Sequence, residues 1–365
     1  MPYYSDDVIN EVFSSSDIVD YVSQYVQLKK NGRDYSGLCP FHKEKSPSFH
    51  VSADKQLFHC FGCGASGNTA QFIMRTENLD FVEALRLMAE RAGIDLPDEN
   101  AGDNGKREKK QRFLEMNRIA ARFFYDNLVK SSDAAQAREY FAQRKISPGT
   151  ITSYGLGFAP EGRDVLLGFL GEKGFSKEEI CENSLAVSRD GKIYDKFRGR
   201  VMFPIIDPRG RVIGFGGRII KDAKESKDGF KAPKYLNSSE TICFSKGNNL
   251  FSLNLAKNAR SESMILAEGY MDVISVYQAG IKNIVATLGT ALTENQAKLI
   301  MKYCREILIC YDSDEAGSAA TRRAIDIIND AGGRARVISL GDVKDPDEFI
   351  KSYGKAAFAK AIKNA

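Results

Sequence analysis

Cys39-Pro40-Phe41-His42 is followed, after seventeen residues, by Cys60-Phe61-Gly62-Cys63, and this pairing constrains the fold more than any other feature of the chain. In each half, two ligand-type side chains stand two residues apart, a spacing that lets both reach one ion from a tight turn. Four nitrogen and sulfur ligands with no open position describe a structural zinc site. The competing explanation is two accidental pairs of buried thiols, and zinc is preferred. Between the knuckles, Ser48 to His59 alternates apolar and polar residues around a break at Ala53-Asp54-Lys55, as a β-hairpin does. The segment therefore predicts a small ribbon with Cys39, His42, Cys60 and Cys63 gathered at its ends.

At 365 residues the chain is long enough for two or three domains with cores of their own. No apolar run approaches the length that crosses a bilayer. The start, Met1-Pro2-Tyr3-Tyr4-Ser5-Asp6-Asp7, lacks the basic residues and apolar stretch of a secretory signal. Of seven cysteines, three are assigned to zinc. Cys181, Cys243, Cys304 and Cys310 are scattered and read as ordinary thiols. The pattern fits a reducing cytoplasm rather than a disulfide framework, with no membrane partner.

A net charge of +4 does not by itself announce a nucleic-acid partner, but its distribution is uneven. Between Arg200 and Lys246 lie Arg209, Arg211, Arg218, Lys221, Lys224, Lys227, Lys231 and Lys234, against only five acids. That local excess is about as large as the excess of the whole chain. A basic strip of this kind attracts a polyanion even on a nearly neutral molecule. For 221–231 a solvated loop is an equal reading.

Residues 1–97 are read as a zinc module flanked by helices at 6–13, 17–28 and 81–92, the last stopped by Gly93. Residues 98–110 hold no anchoring apolar side chain and predict a flexible tether. Helices are expected over 111–128 and 134–144, then strands over 201–206 and 211–215 around the turn Asp207-Pro208-Arg209-Gly210. From 263 the rhythm becomes strand–helix alternation. Strands are expected at 263–267, 283–288, 307–311 and 334–340, with helices at 271–278, 293–303 and 317–331. Thr293 and Gln296 form a capping box. Alternation of this length predicts a mostly parallel sheet with covered faces. The fold class is thus α/β and α+β multidomain: a small zinc ribbon, a mixed α/β subdomain over 111–262, an α/β subdomain over 263–352 and a tail over 353–365.

In open α/β sheets, functional groups collect at the carboxyl ends of strands. Glu268 closes the first predicted strand of the alternating region. Asp312 and Asp314 follow the third, and Asp345 and Asp347 come shortly after the last. Asp272 stands one helical turn beyond Glu268. Gathering carboxylates costs electrostatic free energy unless a cation neutralises them, and hard oxygen ligands suit Mg2+ or Mn2+. Two such ions would activate an attacking hydroxyl and stabilise a leaving pyrophosphate. No nucleophilic side chain stands out, and three histidines supply no Ser/His/Asp set.

These constellations, in this order, resemble the bacterial replicative DNA primases of the DnaG type. Gly37 to Phe49 and His59-Cys60-Phe61-Gly62-Cys63-Gly64 match the CHC2 zinc-binding signature. The catalytic core is resembled through Arg198 to Ile205, Gly214-Phe215-Gly216-Gly217-Arg218 and Lys234-Tyr235-Leu236-Asn237-Ser238. Glu268-Gly269-Tyr270-Met271-Asp272 and Asp312-Ser313-Asp314-Glu315-Ala316-Gly317 match the TOPRIM fold shared with topoisomerases. The resemblance implies a nucleotidyltransferase that makes short RNA primers from ribonucleoside triphosphates on single-stranded DNA. By it, Glu268, Asp312 and Asp314 hold two or more catalytic Mg2+ or Mn2+ ions, with Asp272, Asp345 and Asp347 as supporting acids. Arg218 and Lys234, with Arg144, Arg200 and Lys246, fall to template and nucleotide binding. In the ribbon, single-stranded DNA contact falls to Lys43, Lys45, Lys55, Phe58 and Phe61. Phe41 and Phe61 fit equally a small core, and Phe49 is assigned to it. Family members continue through further helices to a domain that docks on the replicative helicase. This chain stops at Ala365, so helicase docking is not carried over. Two other readings stay in view: a TOPRIM nuclease, and a non-catalytic zinc-containing protein that binds single-stranded DNA.

Overall fold

Residues 4, 6–77, 79–94, 96, 104–220 and 232–365 are described by the computed structural model. They fall into two compact units, Met1–Asn104 and Gly105–Ala365.

The first unit opens with α1 (Asp6–Ser14) and α2 (Ile18–Val22), followed by β1 (Lys29–Asn31), β2 (Asp34–Gly37), β3 (Phe49–Ser52), β4 (Leu57–Cys60) and β5 (Ser66–Gly67), then α3 (Thr69–Glu77) and α4 (Phe81–Ala92). Asp17 caps α2 by accepting from the Val19 amide, but the helix ends at Val22, well short of the expected 28. Val26 is instead buried in the ribbon's core, which draws the chain out of helix and into β1. The five strands form an antiparallel meander in chain order. Side chains alternate across such a sheet, so Phe49, Val51, Phe58 and Cys60 share the inner face. There the Phe49 and Phe58 rings stack at 5.3 Å, and Phe72 of α3 meets Phe58 edge-on at 5.5 Å. Asp80 and Glu83 close a capping box on α4, and Gly93 ends it in the left-handed conformation at φ 66°.

The second unit begins with α5 (Asn104–Lys130), which takes up part of the tether expected over 98–110. The run Lys106-Arg107-Glu108-Lys109-Lys110 is built from good helix formers, so a segment without apolar anchors still extends the helix. The rest of that tether, 98–103, lies outside the described residues. Next come α6 (Ala135–Gln143), α7 (Pro148–Tyr154), β6 (Gly157–Ala159), α8 (Val165–Glu172), α9 (Lys177–Glu182) and the hairpin β7 (Ala186–Arg189) with β8 (Lys192–Asp195). Then β9 (Arg200–Ile206), β10 (Val212–Ile219) and β11 (Tyr235–Asn237) complete an antiparallel sheet in the order β11-β10-β9-β6.

After α10 (Leu253–Ala256) the chain alternates: β12 (Ser263–Ala267), α11 (Tyr270–Gln278), β13 (Ile284–Ala286), α12 (Glu294–Met301), β14 (Glu306–Ile309), α13 (Glu315–Asp330), β15 (Arg334–Val337) and α14 (Pro346–Asn364). The strands pair in parallel in the order β13-β12-β14-β15. With β12 and β14 adjacent at the centre, the acids after each open onto the same sheet end. The antiparallel and parallel sheets share one core, in which Phe158, Val201 and Phe203 cluster with Ile265, Tyr270 and Leu308. Gly216 lets β10 lie against the Tyr270 ring, since a Cβ there would sit 2.5 Å from it. The expected tail over 353–365 is helical, broken only at Gly354 (φ 74°). Phe358 is wholly buried, with Ala357, Ala361 and Ile362 packed on the same core. That apolar spacing is helical, and the glycine before it hides the continuation.

Candidate metal centres and nucleic-acid groove

In the ribbon, the knuckle turns bring Cys39, His42, Cys60 and Cys63 together with their ligand atoms all within 4.8 Å of one another. Cys39 Sγ lies 3.8 Å from Cys63 Sγ, and Cys60 Sγ lies 3.8 Å from His42 Nδ1. Ligands about 2.3 Å from a tetrahedral ion stand at about this separation, so the donor set fits zinc. Sequence reasoning missed Glu44. Its carboxylate lies 3.2 Å from His42 Nε2 and accepts from the amides of Cys39 (2.7 Å) and Ser48 (3.2 Å) and from the Ser48 hydroxyl. A carboxylate on the outer nitrogen of a ligating imidazole fixes its ring and tautomer. The only sequence signal was an acid two residues after the ligand histidine. Burial pushes the Cys39 thiol up to about 12, a cost that a bound cation offsets. For Cys60 burial acts in the same direction, but hydrogen bonds from Ser48 and from the Cys63 and Gly62 amides outweigh it and bring the thiol down to about 7.

The five ribbon residues assigned to DNA contact divide. Lys43, Lys45 and Lys55 are exposed, and Phe61 is 73% exposed. Phe58 is not on that surface: it is 1% exposed, stacked on Phe49 and edge-on to Phe72 in the core. The strand alternation that turns Leu57 and His59 outward turns Phe58 inward.

In the second unit, the acids sit where the parallel strands end. Glu268 follows β12 and is half-buried; its Oε1 accepts from the Asp312 amide at 3.2 Å. Asp314 caps α13 through the Gly317 amide at 2.8 Å. Gly317 is required there, because a Cβ would collide with the Asp312 carbonyl. Asp345 caps α14 through the Glu348 amide at 2.8 Å. Ser313 donates from its amide to Lys344 O and from its hydroxyl to Val343 O, both at 2.8 Å, tying the two acidic loops together.

The charges are felt. Burial raises Glu268, with Asp314 adding to the effect. Burial, then Glu268 and Asp345, push Asp312 up to about 6, while Lys344 opposes them. Asp272 is buried, and burial with Asp345, Asp312 and Asp347 as neighbours pushes it up to about 8. Among the described residues, only the zinc ligands form a set of three or more with all ligand atoms within 4.8 Å. The acids are therefore spaced more widely, an arrangement that suits Mg2+ or Mn2+, which keep water molecules among their ligands.

Asp272 and Asp347 are also engaged by the fold. Asp272 Oδ2 accepts from the Gly269 amide at 3.1 Å and closes the first turn of α11. The Asp347 carboxylate meets Arg144 at 2.7 Å, Lys351 at 2.6 Å and the Ser275 hydroxyl. Both its oxygens are engaged in joining α6, α11 and α14, and Arg144 is engaged by the same pair.

Arg200 is likewise engaged by the fold. It is buried, and its guanidinium donates to the carbonyls of Gly217, Lys234 and Pro233 at 3.1, 3.3 and 3.0 Å. It braces β9 against β10 and the start of β11. Arg218 is different: its guanidinium lies 4.4 Å from the Tyr140 ring centre and 5.9 Å from that of Tyr235, and its buried Nε has no partner among the described residues. Lys234 is exposed. Lys246 is half-buried beside Lys196, which sequence reasoning missed. Lys196 donates to the hydroxyls of Ser184 (2.7 Å) and Ser239 (2.8 Å), and burial together with Lys246 lowers it to about 8. The basic stretch over 221–231 lies outside the described residues.

A zinc ribbon together with a parallel sheet that ends in acids beside a tyrosine-flanked arginine defines a class of nucleic-acid enzymes, and comparison with known proteins narrows it. The chain matches the CHC2 zinc finger over 4–104, the DNA primase catalytic core N-terminal domain over 123–257 and the Toprim-like family over 265–350. The DNA primase of Clostridium acetobutylicum is 47% identical over 363 residues, 99% of this chain and 59% of that protein. The DNA primase of Halalkalibacterium halodurans is 41% identical over 98% of this chain and 59% of its own length. The crystal structure of the Aquifex aeolicus primase, comprising zinc-binding and RNA polymerase domains, superposes with a TM-score of 0.63 and 39% identity over 98% of this chain and 85% of that one. A DnaG primase catalytic domain bound to single-stranded DNA gives 0.65 at 36% identity over 71% of this chain and 80% of that one. The chain belongs to the bacterial DnaG-type DNA primase family. It spans about 59% of the length of these two curated relatives. Among the described residues, no helix is long and apolar enough to cross a membrane.

Proposed function

We propose that this chain synthesises short RNA primers on single-stranded DNA from ribonucleoside triphosphates, in the cytoplasm, as a nucleotidyltransferase. The observation that supports the reading is a single shared core that joins the strands before the acids to the sheet carrying Arg218, whose guanidinium lies between two tyrosine rings and whose Nε has no hydrogen-bond partner among the described residues. A likeness to a catalytic domain bound to single-stranded DNA supports the choice of template.

Glu268, Asp312 and Asp314 would hold the catalytic Mg2+ or Mn2+, with Asp345 beside them. When bound, such ions supply Lewis acidity to an attacking hydroxyl and to the phosphates of an in-line displacement. The protein's own part is positional. Arg218 presents guanidinium N–H groups to phosphate oxygens, a match of planar donors to anion. Lys234, Lys246 and Lys196 add point charges that balance a triphosphate or a template backbone. Lys196 has no carboxylate within 4.0 Å among the described residues, so its charge is available to a substrate anion. The ribbon, closed around structural zinc, offers Lys43, Lys45, Lys55 and Phe61 to the template. Docking on a replicative helicase is not part of this proposal.

The test is incubation with single-stranded DNA, Mg2+ and labelled ribonucleotides, with products run on a denaturing gel beside Asp312→Ala. A ladder of short RNAs that the variant lacks is expected. Shortened DNA without RNA would replace the proposal with a nuclease. Tight DNA binding without either product would leave a binding protein.

A further inference from the structure

In the run Glu268-Gly269-Tyr270-Met271-Asp272 the two acids belong to the acidic site, and the tyrosine between them has no part in it. Its surroundings suggest one. Tyr270 is the first residue of α11 and is 5% exposed. Its ring lies flat against Phe203 of β9, with centres 4.9 Å apart and planes 8° apart, in the space that Gly216 leaves on β10. The hydroxyl donates to Asn237 Oδ1 on β11 at 2.8 Å. Asn237 Nδ2 in turn donates to the Leu288 carbonyl at 2.7 Å, just past β13. A carbonyl oxygen only accepts, so Leu288 fixes which way the carboxamide faces and makes the tyrosine the donor. Gly289 keeps this approach open, since a Cβ there would sit 3.2 Å from Asn237 Nδ2.

Among the described residues, three hydrogen bonds that involve side chains hold 268–270. They join Glu268 to the Asp312 amide, Asp272 to the Gly269 amide, and Tyr270 to Asn237. The first two stay within the parallel sheet's own loops and first turn. The third crosses to the sheet that carries the cations. There β11 is a three-residue edge strand, paired only with β10, with Tyr235 opposite Arg218 and Asn237 opposite Gly216. Lys234 directly precedes it, three residues from Asn237 and about 10 Å away along an extended chain. A short edge strand has few ladder bonds to hold it, and such segments open first. The Asn237 carboxamide, tied to one loop beside Glu268 and to another past β13, gives this strand a fixed point. Phosphoryl transfer needs phosphates held by cations and metals held by carboxylates in one register. A misplacement of about 1 Å can cost about a hundredfold in rate, even from a change far from the chemistry.

We propose that Tyr270 is a positioning residue for phosphoryl transfer. Through Asn237, its hydroxyl sets the reach between Glu268, on the metal side, and Arg218 and Lys234, on the phosphate side. Tyr270 touches neither metal nor nucleotide; it acts through the strand that it holds. The inference rests on the reading of this chain as a primase and adds a residue to that site.

The experiment compares the full chain with Tyr270→Phe, which removes one oxygen and keeps the ring stack. Primer synthesis should lose about tenfold in kcat, within the cost of a small misplacement. KM for the ribonucleoside triphosphates, Mn2+ affinity read by electron paramagnetic resonance and anisotropy on single-stranded DNA should all stay within twofold. Amide hydrogen exchange over 235–238 should quicken about tenfold, and that over 263–267 should not change. Asn237→Leu should lower kcat at least as far. The double variant should match Asn237→Leu within twofold, because its second change removes a partner already lost. A kcat for Tyr270→Phe within twofold of the unaltered chain would overturn the proposal, and a lowered thermal midpoint beside it would reduce the bond to a contact of the fold. Losses that multiply in the double variant would also overturn it. So would Mn2+ affinity that falls in step with kcat, which would put Tyr270 in the metal site itself. If the unaltered chain makes no Asp312-dependent RNA, the primase reading falls and this role falls with it. An active parent with a fully active Tyr270→Phe sinks the positioning role alone.

Discussion

The two metal centres of this chain are built on opposite principles. In the ribbon, four ligand atoms stand within 4.8 Å, and Glu44 and Ser48 hold them from behind. In the second unit, carboxylates of like charge are fixed one by one, each by a backbone amide at a helix start or strand end, and are left mutually repelling. A closed, oriented ligand shell makes metal binding part of folding. Carboxylates held apart at the ends of a sheet make it part of chemistry, because room is left for water and phosphate. The difference shows in the protons. Asp312, at about 6, and Asp272, at about 8, keep protons far more readily than free carboxylic acids do, first through burial and then through neighbouring carboxylates, Glu268 and Asp345 for the former and Asp345 and Asp312 for the latter.

Substitution should break this contrast most visibly at the metals themselves. Cys60→Ala is expected to abolish zinc binding and the cooperative melting of the first unit, measured by metal analysis and calorimetry; full zinc occupancy would refute the ligand assignment. Asp312→Asn is expected to do the reverse to stability, raising the thermal midpoint slightly at pH 7.5 because a repelled charge is gone. Added Mg2+ should then raise the midpoint of the unaltered chain and not of the variant. A lowered midpoint for Asp312→Asn would mean that the carboxylate supports the fold.

Within the ribbon, neighbouring phenylalanines sharpen the point. Phe58→Ala should cost about 3–5 kcal/mol by opening a cavity under β3 and β4. Phe61→Ala should stay within about 0.5 kcal/mol, as exposed substitutions do. Equal losses in denaturant titrations would show that both rings belong to the core. On the acidic side, Arg144→Ala leaves buried Asp347 with Lys351 as its remaining cation. The expected loss is about 1–3 kcal/mol, below that of a fully buried pair because Arg144 is partly exposed. A negligible change would free Arg144 for the nucleic-acid role that its ion pair now denies it.

The smallest effect isolates what burial alone does to a carboxylate. Asp195 belongs to neither metal-ligand set and accepts from the amides of Leu166 (2.8 Å) and Leu167 (2.9 Å). Burial still raises it to about 6. Its folded value lies above the unfolded one, about 3.9, so the native state takes up the proton first as pH falls. Its contribution to stability therefore increases from about pH 6 down to about pH 4 and is lost as pH rises through 6. The midpoint of the unaltered chain should gain on that of Asp195→Asn across this window. A difference that does not change with pH would remove the case for a raised value.

Much of this was legible before any coordinates. The zinc ligands declared themselves by spacing, and the Thr293–Gln296 box marked a helix start that the structure repeats. Strand–helix alternation predicted a mostly parallel sheet, and the four strands β12 to β15 pair in parallel, with one antiparallel bridge from Phe251 to Ala286 at the edge. Residue type alone did not separate the side chains that the fold engages from those it leaves exposed. Phe58 and Phe61 look alike in sequence, yet one fills the core and the other faces solvent. Arg200 and Arg218 both read as groove residues, yet one is consumed by three carbonyls. Asp347 read as a supporting acid, and the structure gives its Oδ2 to Arg144 and Lys351 and its Oδ1 to the Ser275 hydroxyl.

Local chemistry by itself determined the elements: ligand spacing, caps, breakers and apolar period act within a few residues and need no distant partner. Tertiary structure decided which charges remain free. That depends on long-range neighbours, such as Asp347 for Arg144, 203 residues along the chain, or Glu44 for a histidine already committed to metal. A buried polar group must be satisfied by whatever the fold brings to it. The residues left for function are those the fold did not spend.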